Sequence, residues 1–231
     1  MKLLSFFEKY LYIQSNDSRK KMIGGRAANL GEYPWHVLLV ELQYNDVDPE
    51  TPIFNNKCGG TLISDKWVIT SHRCVEYAGD LPLTASFQIV LGGYVFPPVY
   101  QQIRPLIIWP TDMTGTTHEI VKGLVNIVKP PNGGFLAYDI ALIEMDSRVT
   151  LSPKVFPACI PGPDYKFQIL KTVWTTGWGY TRTDPLPPVE PSRLQELDLY
   201  INNRPACETF IKTGCLAGNM LAITSNFLTA I

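Results

Sequence analysis

The stretch Cys58–Cys74 reads C-G-G-T-L-I-S-D-K-W-V-I-T-S-H-R-C. Two short apolar, β-branched runs flank the polar trio Ser64-Asp65-Lys66, the pattern of a strand, a tight turn and a second strand. A cysteine closes each end, and His72 and Arg73 stand just before the second one. Outward from this hairpin the same texture repeats. P-W-H-V-L-L-V-E-L (Pro34–Leu42) reads as a strand buried strongly enough to lose strict alternation. Phe87–Leu91, Gly123–Pro131 and Tyr138–Met145 supply further short strands, and Val173–Tyr180 and Leu194–Ile201 read as a pair in a second unit. Residues 94–118 form an irregular insertion rich in proline and aromatics, and Pro153–Pro163 is a proline-rich connector between two halves. Many short strands with long loops and no fixed repeat predict an all-β fold of sandwich or barrel type.

With 231 residues, the chain can bury the core of one large domain or two small ones. Hydrophobic residues make up 45% and charged residues 18%, with a net charge of −1, so charge gives no case for nucleic acid or an anionic membrane as partner. No run approaches the length of about eighteen apolar residues that a transmembrane helix needs. The five cysteines are scattered, with no C-x-x-C, and no trio of His, Asp and Glu has metal-ligand spacing, so neither a metal nor a cofactor is expected. His36 reads as a packed or half-exposed strand residue rather than a ligand, and His118 as a solvated loop residue. The glycine pairs Gly24-Gly25, Gly59-Gly60 and Gly92-Gly93 read as turns rather than phosphate loops. M-K-L-L-S-F-F opens the chain like a secretory leader, although Glu8 and Lys9 cut its apolar run short. The leader ends in the basic run Arg19-Lys20-Lys21 and carries a sequon at Asn16-Asp17-Ser18.

Seven blocks stand in an informative order: M-I-G-G (Met22–Gly25), P-W-H-V (Pro34–Val37), C-G-G-T-L-I-S (Cys58–Ser64), W-V-I-T (Trp67–Thr70), Y-D-I-A-L-I (Tyr138–Ile143), P-A-C-I-P (Pro157–Pro161) and T-G-W-G-Y-T (Thr176–Thr181). Together they resemble the trypsin-like serine proteases of the chymotrypsin fold, from Met22 to about Ala222. The resemblance implies two perpendicular, antiparallel six-stranded β-barrels with a catalytic cleft between them, in a protein normally secreted as a zymogen. It implies a leader over residues 1–21 and a protease domain over 22–231. That domain divides into a first barrel (22–147), a connector (148–170) and an incomplete second barrel (171–231).

The family's chemistry needs a serine nucleophile, a histidine base, a buried aspartate that orients the histidine, and backbone amides for the oxyanion. By resemblance Asp139, before I-A-L, is the triad acid; a turn aspartate ahead of a buried strand is the plainer reading. The base is out of place. The family block ends T-A-A-H-C, whereas this one ends T-S-H-R-C, with Arg73 in the base position and His72 one residue early. A one-residue shift turns a side chain by about 100° in a helix or 180° in a strand, which points His72 away from Asp139. Arginine stays protonated to a pH above about 12 and cannot serve as the base. Arg73 is expected either to pair with Asp139 or to swing out to solvent. No G-D-S-G-G-P block follows Asn219-Met220-Leu221, and Ser225 lacks the flanking glycines that shape an oxyanion hole, so no residue is assigned as nucleophile.

The resemblance also implies a Cys58–Cys74 disulfide. Cys159 matches a cysteine that often tethers the pro-segment, but residues 1–21 contain none. Cys207 lacks its usual partner, with Ala222 in that place and Cys215 nearby, and Val173 fills another common cysteine position. Lys21–Met22 aligns with the zymogen cleavage point, where an exposed basic leader is the plainer reading. These readings converge on a secreted, non-catalytic homologue that acts, if at all, by binding a protein or peptide through its cleft rim and the 94–118 insertion. The alternative is a truncated isoform or gene-model fragment of a true serine endopeptidase, and a third reading is a chain that does not fold stably.

Overall fold

The structure, a computed structural model, describes residues 22, 24–43, 53–75, 87–93, 120–131, 139–162, 164–165, 168, 170–179, 181 and 193–201. Its strands are β1 (Arg26–Ala27), β2 (His36–Gln43), β3 (Ile53–Leu62), β4 (Trp67–Thr70), β5 (Phe87–Leu91), β6 (Ile120–Lys122), β7 (Leu124–Val128), β8 (Ala141–Met145), β9 (Thr172–Gly177) and β10 (Gln195–Tyr200). One 3₁₀ turn, His72–Val75, follows β4. The fold is all-β, in keeping with the alternation of short apolar runs and turn residues.

Seven strands form one antiparallel sheet in the order β6-β5-β2-β3-β4-β8-β7. Its two ends, β6 and β7, are separated in sequence by Gly123 alone. They are therefore one bent strand whose halves close the sheet on both sides, and the first unit is a six-stranded barrel. Gly123 makes the corner: its N–H donates to Oδ2 of Asp146 at 3.0 Å, and its carbonyl accepts from the Asp146 N–H at 3.0 Å. A Cβ here would lie 2.8 Å from Asp146 Oδ2.

Register explains the core. Val37 stands opposite Gly60 and Leu91, Leu39 opposite Cys58 and Ile89, Leu62 opposite Val68, and Val68 opposite Ile143. Alternate residues of each strand thus share the barrel interior, joined by Phe87, Leu124, Ala141 and Met145. On β2, His36 and Leu38 project from the outer face and are buried as well. Both faces of that strand are covered, which is why its sequence runs V-L-L-V without alternation.

The second sheet is antiparallel in the order β1-β10-β9, the arrangement of the second barrel's first hairpin joined by the chain's early residues. Gly24 turns the chain with φ +85°, and a Cβ on Gly25 would lie 2.5 Å from the carbonyl oxygen of Glu196 on β10, so only glycine lets the segment approach. Between the sheets, the described residues of 146–171 contain no strand, only an isolated bridge from Ser152 to Val155.

Three local readings need correction. Gly59-Gly60 is not a turn but part of β3, where Gly59 pairs with Leu38 and Gly60 with Val37. A Cβ on Gly60 would meet Val68 Cγ1 at 2.8 Å and the Ile69 carbonyl oxygen at 3.1 Å, so glycine is there to let β4 close in. β3 starts at Ile53, well ahead of the hairpin seen in sequence, and a bulge at Lys57 separates its two registers. The short β6 falls in a segment with no strand signal of its own. The 94–118 insertion and the leader lie outside the described residues.

Candidate active site

β4 and β8 pair antiparallel with Thr70 opposite Ala141. The residues just past Thr70 and just before Ala141 therefore meet at one end of the barrel. The 3₁₀ turn keeps them there: the Cys74 N–H donates to the Ser71 carbonyl at 3.1 Å, and Thr70 Oγ1 donates to the Gly59 carbonyl at 3.0 Å. Cys74 is joined to Cys58 of β3 by a disulfide with Cα atoms 5.9 Å apart. Backbone turn, hydroxyl and disulfide together hold the loop against β3.

Asp139 is the hub of the site. Its Oδ1 accepts from the Ser71 hydroxyl and from the Arg73 backbone N–H at 3.0 Å. Its Oδ2 accepts from Arg73 Nε at 2.7 Å, which is also an ion pair. Of the two fates expected for Arg73, pairing is the one found. Both side chains are about four-fifths buried, at 19% and 21% exposure. The carboxylate is thus met by a charged donor and two neutral ones. Ser71 was not anticipated from the sequence. The signal was available, since T-S-H-R-C carries a hydroxyl where T-A-A-H-C has a methyl group.

His72 makes none of these contacts. It is buried at 5% exposure, and its Nδ1 has no hydrogen-bond partner. A proton acceptor needs a free lone pair at the reacting point, and a guanidinium has none. The Arg73–Asp139 contact pairs charge with charge.

The rest of the expected machinery divides in two. Met22 is buried, its carbonyl accepting from the Gly25 N–H at 3.2 Å, and Cys159 carries an exposed free thiol. Lys21, Cys207, Cys215, Ala222 and Ser225 lie outside the described residues. Among the described residues no three His, Cys, Asp or Glu side chains group as a metal site, and no helix is long and apolar enough to cross a membrane.

Comparison with known families follows the same outline. The family model for trypsin matches residues 22–230. The chain belongs to the trypsin family. Human testisin is 27% identical over 187 residues, covering 81% of this chain and 52% of testisin. Phenoloxidase-activating factor 3 of Holotrichia diomphalia is 30% identical over 198 residues, covering 82% of this chain and 50% of that protein. The serine proteinase stubble of Drosophila melanogaster is 28% identical over 198 residues, covering 84% of this chain and 22% of that one. The chain spans about half, or less, of the curated relatives it matches. The two-barrel trypsin-like architecture accounts for both sheets, and the activity of the family is that of a serine endopeptidase.

Proposed function

We propose that this chain is a non-catalytic trypsin homologue that works by binding a protein or peptide. One observation carries the proposal: the side chain in the base position is an arginine locked onto the triad acid, Arg73 Nε to Asp139 Oδ2 at 2.7 Å. Loss of the histidine from such a triad lowers turnover by about a millionfold. The missing base bears equally on the alternative of a truncated endopeptidase, because added C-terminal sequence supplies a nucleophile but leaves Arg73 where it is. Asp139 is then a structural anion, and Cys58–Cys74 keeps the loop around it in shape.

The binding surface is the cleft rim with the 94–118 insertion, since loops on a rigid barrel carry recognition. Secretion agrees with a disulfide that persists in oxidising compartments and with the leader-like start. The test is hydrolysis of a set of trypsin-type chromogenic peptides by the oxidised full chain beside its Asp139→Ala variant. Equal background rates from both are expected. Peptide-specific cleavage that vanishes in Asp139→Ala would overturn the proposal.

A further inference from the structure

His36 sits where the first barrel meets the second sheet. It begins β2 opposite Thr61 of β3, and both side chains face outward because Val37 and Leu39 fill the interior. The imidazole is 3% exposed. Its Nδ1 lies 2.8 Å from Oγ1 of Thr176 on β9. The ring of Trp178 approaches edge-on, 5.0 Å away between centroids. The other nitrogen, Nε2, is buried and has no hydrogen-bond partner.

A neutral imidazole fits this position. One ring nitrogen carries a proton and the other a lone pair, and the Thr176 hydroxyl complements Nδ1 in either tautomer. A second proton does not fit. It puts N–H on both nitrogens and leaves a charged donor at Nε2 with nothing to accept it. Among the described residues, the groups facing the ring are uncharged: Thr61 from β3, Thr176 from β9 and Trp178 from the segment after it. The ionisable groups of this region are engaged with one another. Glu196 of β10, opposite Thr176, accepts from Tyr33 at 2.5 Å and pairs with Arg26, which also lies 3.8 Å from Glu32. Burial alone then pushes the His36 pKa down to about 3.

We propose that His36 is a pH-operated latch between the two sheets. With the ring neutral, the His36–Thr176 bond ties β2 to β9; protonation leaves a charged N–H at Nε2 that the closed contact cannot accept, which favours release of the β9–β10 hairpin from the barrel. The sign follows from proton binding. The open or unfolded ring takes up a proton near pH 6.5 and the enclosed ring does so only near pH 3. The latch is therefore fully closed above pH 6.5 and loosens as pH falls toward 3, by up to about tenfold per unit.

Amide hydrogen exchange on the full chain between pH 7 and pH 5 tests the latch, with protection corrected for the intrinsic pH dependence of exchange. Protection of β9–β10 should fall by about tenfold per unit below pH 6.5 while β2–β5 keep theirs. His36→Gln retains an amide that can bond Thr176 but cannot titrate, and it should flatten that fall. An equal fall in both proteins, or loss at the same rate in both sheets, would overturn the proposal. Should His36→Gln fail to fold, ring NMR of the unsubstituted chain decides. A His36 ring that stays neutral below pH 5 in the folded state supports the latch; one that titrates near 6.5 with β9–β10 still protected contradicts it.

Discussion

At the scale of single residues, the site is an exchange of one donor for another. A triad histidine would present a ring N–H to the aspartate and a lone pair to the serine. Arg73 presents an Nε–H to Asp139 and has no lone pair to offer. On the non-catalytic reading proposed above, the holding function survives and the proton-transfer function is gone. Arg73→Met, which keeps most of the apolar stem, should lower stability by about 1.5–3 kcal/mol, the range for a hydrogen bond to a charged group. Ser71→Ala should cost about 0.5–1.5 kcal/mol. Urea unfolding of both variants checks the order, and an Arg73→Met cost no larger than that of Ser71→Ala would mean the ion pair adds nothing. The Arg73 position could be read in the sequence because Trp67–Thr70 and Cys74 fix its register on both sides. Ser71 was overlooked because a serine beside a displaced histidine looks unremarkable until the Asp139 carboxylate arrives from the segment before β8.

At the scale of elements, the first barrel depends on a few positions that strand patterns do not reveal. Short apolar runs bounded by turn residues located β2, β4, β5, β7, β8, β9 and β10, with β2 read as a continuous apolar run because both its faces are covered. They could not locate the corner at Gly123 or the packing role of Gly60, because both answer to neighbours distant in sequence. Gly60→Ala should destabilise the chain by about 1–3 kcal/mol through overpacking against Val68 and Ile69. A fall in Tm of several degrees, followed by circular dichroism, is the expected readout; an unchanged Tm would show that β4 can give way. Replacing both Cys58 and Cys74 by serine, which opens a loop with a sequence separation of 16, should cost about 3 kcal/mol. Urea unfolding under non-reducing conditions measures it, and no difference would mean that Thr70, Ser71 and Asp139 hold the loop unaided.

For the whole molecule, the first barrel closes on itself among the described residues, and β1 reaches across to pair with β10 of the second sheet. The contact between the two is polar and buried. Tyr33, held well above its ordinary pKa by burial and by the Glu196 carboxylate it bonds, marks one part of it, and His36–Thr176 marks another. The family resemblance implies a catalytic cleft between the two barrels, and on the reading proposed above its base position is taken by Arg73, paired with Asp139. On the latch proposed above, burying the His36 ring at the contact between the sheets makes that contact depend on pH.

The non-catalytic reading is tested most directly by covalent labelling, because a trace of host protease can mimic activity but cannot change the mass of this chain. The oxidised full-length protein would be incubated with a peptidyl phosphonate that reacts only with a base-activated serine, and its intact mass recorded. With Arg73 holding Asp139, the mass is expected to stay unchanged. A stoichiometric adduct on one serine, lost in Asp139→Ala, would contradict the non-catalytic reading.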